Sequence, residues 1–498
     1  MGHVLALDEG TTSTRAVIYS EDGRVLASNQ QEFRQIFPAA GLVEHDPVEI
    51  LRTTREVIGR ALGSALLTAK DLTAVGITNQ RETTLVWDRT SGAPLHNALV
   101  WQDTRGGELV RALTEAGHAE EIAEITGLPV NTYFSAIKAM WLRENVPAVR
   151  EGLDAGTALI GTIDSWLIWN FTGGVHGGLH ATDVTNASRT MLMDLRTLDW
   201  SPRLLELTGL PATALPEIRP SVGDFGTVAP GYLTAGVPIT GVLGDQQSAA
   251  FGQACFSPGD TKNTYGTGCF ILTNTGEAIR RSAHGLVTTV AFRIGDEPAQ
   301  YALEGSIAVA GSLVQWLRDN LGIIRSSAEV ETLAASVEDC GDVYFVPAFS
   351  GLYAPRWRPD ARGTITGLTR FAHKGHIARA ALESTAFQTA DVLDVLRQDS
   401  GYTIERLRVD GGMSRNDLLM SFQADVLGTE VVRPTTIEST ATGAATAAGI
   451  GAGLYSGTAD VARFWTEEKR WSPRIDEDAR VRLLHRWNEA VDRSLGWA

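Results

Sequence analysis

One local pattern occurs twice in this chain, near its start and again just past its middle. In both places a Gly- and Thr-rich turn, at residues 8–15 and at residues 265–270, lies between two apolar runs. Glycine permits close backbone approach, and successive N–H groups together with hydroxyls form a nest that binds anions. Either turn alone is typical of a plain β-hairpin. The repetition instead favours two half-chains that hold a phosphate-bearing ligand from opposite sides.

The order of predicted elements also restarts near the middle. A chain of 498 residues exceeds the ~250–300 residues at which a single core stops growing. We therefore predict two α/β domains, 1–252 and 253–498, with mixed sheets flanked by helices and a hinge near 250–255. The first half is predicted to contain strands at 3–7, 16–20, 24–30, 73–78 and 84–88 and helix 47–66, then a mostly helical stretch at 105–170 and a loop-rich one at 171–240. The second half is predicted to contain strands at 261–273, 286–293, 299–303, 342–346 and 405–409, helices at 306–321, 373–398, 416–427 and 440–454, and a helical tail over the last forty residues.

Composition excludes several classes of function. The chain has 43 Lys and Arg against 59 Asp and Glu, a net charge of −16, so we expect no nucleic-acid binding and no attraction to an anionic membrane. Residues 439–459 carry no charge, but their small side chains indicate a buried helix and no membrane insertion. Cys255, Cys269 and Cys340 show neither disulfide nor metal spacing. Without a visible signal peptide, we expect a cytoplasmic protein.

Asp245 is the strongest candidate for chemistry. It follows Gly244 at the end of an apolar run and precedes a small-residue helix, so the sequence predicts a carboxylate at the end of a strand. A helix N-cap alone would explain that position. Beside the two turns, however, Asp245 is suited to accept a proton from an attacking hydroxyl. Asp8 ends the first apolar run, and we expect Asp8 and Asp245 to hold Mg²⁺ between them. Arg15 is placed to offset phosphate charge.

Residues 76–84 bring Gln80, Arg81 and Glu82 together between two predicted strands. A solvated charge pair would explain Arg81 and Glu82 equally well on spacing alone. The functional interpretation is a clamp for vicinal hydroxyls, in which arginine donates and glutamate accepts. We expect a wall against the carbon chain from three aromatic residues: Trp101, Tyr133 and Phe270.

Residues 409–416 predict a strand, a paired-glycine turn and a helix start. The turn at Gly411 and Gly412 lets a nucleotide lie against the backbone, with Asn416 as a polar contact, although an ordinary strand-to-helix turn has the same pattern. The sequence contains no GxxxxGK[ST] motif and no GxGxxG motif with a following acid, so P-loop and Rossmann folds are not indicated.

Taken in order, these segments resemble the FGGY family of carbohydrate kinases, in particular members that act on glycerol. The resemblance extends over nearly the whole chain. It rests on residues 8–15, 43–47, 76–84, 101–102, 182–190, 244–247, 262–270, 301–305 and 409–416. It implies an actin/Hsp70-type ATPase fold, with two RNase H-like domains that close on Mg·ATP in the cleft between them. It also implies a homodimer or homotetramer.

The activity that the resemblance implies is phosphorylation of glycerol by ATP to sn-glycerol 3-phosphate, with Asp245 as general base. The implied glycerol-binding residues are Arg81, Glu82, Trp101, Tyr133, Asp245, Gln246 and Phe270. The implied nucleotide-binding residues are Thr11, Thr12, Ser13, Arg15, Thr267, Gly311, Gln315, Gly412 and Asn416. The family usually has Gln at the position of Glu9, which we expect to add negative charge beside the phosphates.

Two alternative activities and two forms of regulation bear on the same residues. A kinase for another polyol or ketose, such as erythritol or xylulose, fits the fold, although the aromatic wall favours a three-carbon substrate. An actin-like or Hsp70-like ATPase that acts on protein is the alternative from another class. Residues 230–238 lack the Gly-Arg pattern by which some bacterial members bind fructose 1,6-bisphosphate, and they contain no histidine. We therefore expect neither that effector nor activation by phosphohistidine.

Overall fold

A computed structural model describes residues 2–234, 236–349 and 351–497 of the chain. Residue 235, in the loop where no effector site is expected, lies outside the described residues. The first half contains thirteen strands among the described residues. They are β1 (His3–Glu9), β2 (Ser13–Ser20), β3 (Val25–Glu32), β4 (Glu44–His45), β5 (Leu72–Asn79), β6 (Thr84–Asp88), β7 (Ala98–Leu99), β8 (Ala158–Thr162), β9 (Ala181–Asp183), β10 (Met193–Asp194), β11 (Asp199–Trp200), β12 (Glu217–Arg219) and β13 (Ile239–Gly244).

The helices of this half flank its sheets. They are α1 (Pro47–Ala65), α2 (Gly107–Glu115), α3 (Ala119–Thr126), α4 (Ser135–Asn145), α5 (Pro147–Asp154), α6 (Ile163–Phe171), α7 (Val184–Ala187), α8 (Pro202–Thr208) and α9 (Asp245–Gly252). Helix α1 begins where predicted, because the Asp46 carboxylate accepts a hydrogen bond from Val48 N and Pro47 occupies the first turn.

The second half follows the same plan. Its strands are β14 (Thr261–Tyr265), β15 (Cys269–Gly276), β16 (Val287–Phe292), β17 (Gln300–Ile307), β18 (Tyr344–Val346), β19 (Thr364–Thr366), β20 (Arg406–Asp410), β21 (Glu430–Pro434) and β22 (Glu467–Trp471). Its helices are α10 (Gly311–Asp319), α11 (Glu329–Ala334), α12 (Lys374–Ser400), α13 (Asp417–Leu427), α14 (Ser439–Gly451), α15 (Thr458–Ala462) and α16 (Glu477–Asp492).

The two large sheets repeat one topology. The first has the order β13-β5-β1-β2-β3, with β13, β5 and β1 parallel and β1, β2 and β3 antiparallel. The second has the order β16-β17-β15-β14-β20-β21-β22, with β14, β20 and β21 parallel and the first four strands antiparallel. Each sheet therefore centres on a hairpin, β1–β2 or β14–β15, whose turn is one of the two predicted Gly/Thr turns. The prediction of mixed α/β sheets is confirmed.

Helix α14 belongs to the second half but packs on the sheet and on helix α9 of the first half. Its alanines enter a buried cluster with Val4, Ala6, Val17 and Tyr19. A methyl group on Gly443 would overlap the backbone oxygen of Ser248 in α9. The small-residue face therefore lets the two backbones touch, as the sequence predicts. In the described part of the chain, no helix is long and apolar enough to cross a membrane.

Two boundaries differ from the sequence prediction. The helix predicted at 306–321 begins only at Gly311, because β17 continues through Ile307, paired with Cys269 of β15. The predicted helical tail is interrupted by β22, which pairs antiparallel with β21 as the edge of the second sheet. Strand β22 is mostly exposed and charged, with the sequence EEKRW, so it lacks the alternation that marks a strand.

Candidate active site

Asp245 lies at the junction of β13 and α9, as predicted. Every residue of β13 is buried, so the backbone before Asp245 is rigidly held. Its Oδ1 lies 3.1 Å from Arg81 Nε, and its side chain is 27% exposed. Burial raises the pKa of Asp245, against the opposing charges of Arg81 and Lys262. The group is thus a reachable carboxylate with raised proton affinity, which is what a general base requires.

Arg81 and Glu82 lie in the connection between β5 and β6 and are both 2% exposed. Arg81 donates from Nη1 and Nη2 to the two oxygens of Glu304, at 2.5 and 2.8 Å. Glu82 has a φ of +59°, in the left-handed region that side chains other than glycine rarely adopt, and such strain concentrates at functional sites. These two residues are therefore not the solvated pair of the simpler interpretation.

Sequence reasoning assigned no role to two residues of this cluster. Arg189, after α7, donates from Nε to Glu82 Oε1 at 2.6 Å and from Nη2 to Glu304 Oε1 at 3.3 Å. Glu304 comes from β17 of the second half, and although burial opposes ionisation, Arg189 and Arg81 lower its pKa to about 2. The available signal was a charged residue inside an otherwise apolar strand, which needs a buried partner.

The three aromatic residues that were predicted to form a wall lie together. The ring of Trp101 stands edge-on to Tyr133 and to Phe270, with centroids 5.5 and 6.2 Å apart. Arg189 lies over the Tyr133 ring, with its Cζ 5.7 Å from the centroid. Phe270 belongs to β15 of the second half, so the wall is built from both halves. Next to Asp245, Gln246 is 6% exposed and accepts a hydrogen bond from Lys262 Nζ at 2.5 Å.

The first Gly/Thr turn joins β1 to β2 and keeps donors available. Thr11 Oγ1 accepts a hydrogen bond from Trp101 Nε1 at 2.9 Å, and Ser13 Oγ accepts one from Gln30 at 2.6 Å. Each hydroxyl therefore retains its hydrogen for an anionic ligand. Thr12 is exposed. Arg15 lies opposite Asp8 in the hairpin register and forms an ion pair with Glu438 of the second half.

Asp8 and Glu9 point to opposite faces of β1, because side chains alternate along a strand. Glu9 is fully buried and accepts hydrogen bonds from Thr14 and Thr54, both at 2.7 Å. Burial raises the pKa of Glu9 to about 8. The expectation that Glu9 adds negative charge beside the phosphates is therefore wrong, since its carboxyl is buried on the face of β1 opposite Asp8, against Thr14 and Thr54.

Asp8 shares its side of the strand with Arg15. The pKa of Asp8 is raised to about 6, because burial together with the nearby carboxylates of Asp245 and Glu438 outweighs the opposing charge of Arg15. Within the described ranges, no group of three or more Asp, Glu, His or Cys side chains is arranged to hold a metal. Two carboxylates nevertheless fit Mg²⁺, which takes only one or two from a protein and completes its shell with water and phosphate oxygens.

A cavity of about 430 Å³ opens beside the second Gly/Thr turn. All five residues predicted for the nucleotide in this half line it: Thr267, Gly311, Gln315, Gly412 and Asn416. The backbone oxygen of Gly266 accepts from Gly311 N at 3.0 Å, which fixes the turn to the N-terminus of α10. Gly412 meets open space, so the ligand can approach its backbone.

The apolar wall of this cavity was not predicted. It includes Val314, Val330, Leu382 and Met413, a surface suited to the flat face of a nucleotide base. The Asn416 side chain also caps α13, because its Oδ1 accepts from Leu419 N at 2.8 Å. The cavity lies entirely within the second half, while the cluster of Arg81, Glu82 and Glu304 draws on both halves.

The fold and this site correspond to a known class of protein. The chain matches the FGGY family of carbohydrate kinases, with the N-terminal domain at residues 3–252 and the C-terminal domain at residues 261–452. The chain therefore belongs to the FGGY family of carbohydrate kinases. Glycerol kinase of Brucella anthropi is 57% identical over 492 residues, which are 99% of this chain and 98% of that protein. Glycerol kinase of Pseudarthrobacter chlorophenolicus is 56% identical over 495 residues, with the same coverage.

Solved structures agree with this assignment. The crystal structure of Plasmodium falciparum glycerol kinase with ADP superposes with a TM-score of 0.92 at 40% identity, covering 99% of this chain and 98% of that one. Ligand-bound xylulose kinase from Lactobacillus acidophilus superposes with a TM-score of 0.89 at 22% identity and the same coverage, which establishes a shared fold.

Proposed function

We propose that this protein transfers the γ-phosphoryl group of ATP to a terminal hydroxyl of glycerol, giving sn-glycerol 3-phosphate and ADP. The observation that carries the proposal is Asp245, a reachable carboxylate in contact with Arg81 at the end of a buried strand. Relatives with the name glycerol kinase, 57% and 56% identical over nearly the full chain, support the same substrate.

In the proposed reaction, Asp245 accepts the proton of the attacking hydroxyl as its oxygen bonds to the γ-phosphorus and ADP leaves. The raised proton affinity of Asp245 supports this role. The ion pair with Arg81 keeps the carboxylate in one orientation, so the base does not have to reorganise during transfer.

We assign the polyol hydroxyls to Arg81, Glu82, Asp245 and Gln246. Arg81 donates and Glu82 accepts, since Glu304 and Arg189 hold both groups in fixed orientations. Trp101, Tyr133 and Phe270 contact the carbon chain. We propose that their edge-on packing favours an acceptor of three carbons over one of five.

We assign the nucleotide to the cavity of the second half and its phosphates to the two turns. Thr11, Thr12, Ser13 and Arg15 would donate from the first turn, and Thr267 from the second. The nucleoside would lie against Gly311, Gln315, Gly412 and Asn416. Asp8 and Asp245 would hold Mg²⁺, which offsets phosphate charge when bound. Three free, buried cysteines support a reducing compartment, and we propose the cytoplasm.

The test is ADP release by the purified protein with Mg·ATP and a panel of acceptors: glycerol, dihydroxyacetone, erythritol, xylulose and none. We expect glycerol to give the highest kcat/KM and the reaction without acceptor to be negligible. A preference for erythritol or xylulose would support the assignment as a kinase but refute the proposed preference for a three-carbon substrate. A rate of ATP hydrolysis that is the same with every acceptor and without one would refute the assignment as a kinase. Light scattering on the same sample tests for a homodimer or homotetramer.

A further inference from the structure

We propose that Lys262 is a positioning residue of the polyol site, whose ammonium orients the Gln246 amide so that Nε2 faces the substrate. The inference rests on the proposed glycerol kinase activity and adds a specificity-determining residue to it. Lys262 comes from β14 in the second half, whereas Gln246 belongs to the first turn of α9 in the first half.

The ammonium of Lys262 is fully engaged. Lys262 is 0% exposed, and its Nζ donates to Gln246 Oε1 at 2.5 Å, Thr264 Oγ1 at 2.9 Å and the backbone oxygen of Phe270 at 3.2 Å. A lysine ammonium has three hydrogens and no acceptor. The three N–H donors of the ammonium therefore have three acceptors, and these hydrogen bonds fix the position of the Lys262 side chain.

This contact determines which end of the Gln246 amide faces the ligand. Because an ammonium can only donate, the amide oxygen must point towards Lys262. The reversed amide would place NH₂ against NH₃⁺ and leave buried donors without acceptors, at the cost of at least a hydrogen bond. Nε2 is consequently presented away from Lys262, as a donor. A donor at this position selects a ligand oxygen that accepts, such as a polyol hydroxyl.

The same lysine links this donor to the aromatic wall. It holds the backbone of Phe270, the wall residue from the second half, as well as the side chain of Gln246 from the first. Only the contact with Gln246 crosses between the halves, because Lys262 and Phe270 lie on the neighbouring strands β14 and β15 of the second half. Burial lowers the pKa of Lys262 to about 8, and Arg81 acts in the same direction, but the carboxylates of Asp410, Glu304 and Asp245 favour the charged ammonium, so the buried charge is not an isolated ion.

The test is a double-mutant cycle with Lys262→Met, Gln246→Leu and the double variant. We expect each single variant to raise the glycerol KM roughly tenfold, the value of one good hydrogen bond. If Lys262 acts through Gln246, the double variant raises KM no further than the larger single effect. The KM for ATP should remain within about twofold, because the nucleotide cavity contains neither residue.

Two outcomes would overturn the inference: an unchanged glycerol KM in Lys262→Met, or independent effects that multiply to roughly a hundredfold in the double variant. If Lys262→Met does not fold, Gln246→Glu supplies the answer. This variant retains a partner for the ammonium but replaces the Nε2 donor with an oxygen, so we expect at least a tenfold rise in glycerol KM. An unchanged KM refutes the inference. The acceptor panel on the unmodified protein separates these results from a failure of the kinase assignment.

Discussion

At the scale of single residues, the site pairs its charges. Three cations, Arg81, Arg189 and Lys262, lie among four carboxylates, Glu82, Glu304, Asp245 and Asp410. Charges taken out of water are tolerated only when they are paired and hydrogen-bonded. An uncharged polyol suits such a site, because it leaves this pairing of charges unaltered. The pairing also makes each member costly to remove, so loss of binding must be separated from loss of stability.

Replacement of Asp245 by Asn tests the proton acceptor. Asparagine keeps the size of the side chain but cannot accept the hydroxyl proton, so we expect kcat to fall about 10²- to 10⁴-fold. Calorimetric titration with ADP in the absence of Mg²⁺ should show unchanged affinity, since the cavity of the second half does not include Asp245. Near-normal turnover in a folded variant would contradict the assignment.

Replacement of Arg81 by Ala tests the clamp. We expect the glycerol KM to rise more than tenfold and the free energy of unfolding to drop by about 3–5 kcal/mol, because Glu304 loses its bidentate partner in a buried environment. Arg105→Ala is the matched control, since Arg105 is 6% exposed and pairs with Glu44 and Asp103. The control should lose comparable stability while its KM stays constant. An unchanged KM in Arg81→Ala would refute the clamp.

At the scale of elements, the contact of α9 with α14 depends on glycine. Gly443 faces the backbone of Ser248, and Gly252 faces that of Ser439, so each helix supplies a glycine to the other. The sheet beneath also contacts α14 through glycine, because Gly76 in β5 and a second glycine in β13 lie against the backbone of that helix. Added methyl groups have no space to occupy here, and overpacking of this kind costs typically ~1–3 kcal/mol.

A pair of glycine-to-alanine variants tests this contact. Gly443→Ala should lower the free energy of unfolding by at least about 2 kcal/mol through overlap with α9. Gly59→Ala, at an exposed position of α1 with nothing within 4 Å of the added carbon, should raise it by ~0.4–1 kcal/mol. Urea denaturation measures both. Equal effects would show that helix propensity, and not packing, determines the outcome.

The elements themselves were largely predictable, and the cross-half contacts were not. The turns after β1 and β14 and the position of Asp245 follow from local signals, namely apolar runs that end at glycine. Glu304 and Lys262 acquire their partners through the pairing of β17, β15 and β14, in which Leu272 lies opposite both. That register joins residues about forty positions apart along the chain. No local pattern encodes it, and likewise none marked the polar edge strand β22.

At the scale of the whole molecule, buried histidines connect stability to pH. His45 is 0% exposed, its Nε2 lies 2.9 Å from Gln35 Oε1, and burial lowers its pKa from 6.5 to about 4. The unfolded chain therefore binds this proton more tightly than the folded protein between those two values. It follows that the protein loses stability as the pH falls from 6.5 to 4, while above 6.5 this group contributes no pH dependence.

Denaturation at a series of pH values measures this linkage. A shift of this size corresponds to roughly 3 kcal/mol at pH 4, and His45→Gln should remove that part of the slope. His485→Gln is the control, because its side chain is 72% exposed on α16 and should leave the slope unaltered. Identical slopes for the unmodified protein and His45→Gln would refute the linkage.

The bare contact between α9 and α14 also has a mechanical consequence. Interdigitated side chains resist rotation of one helix against the other, whereas α9 and α14 touch through backbone at glycine and have few side chains to displace. We expect the two halves to rotate relative to each other about this contact. Asp245 begins α9 and Glu438 directly precedes α14. Both residues therefore lie close to the contact between the two helices. We therefore expect Asp245 to move little during such a rotation, whereas residues farther from the contact between α9 and α14 move more and so open or close the path for ligands.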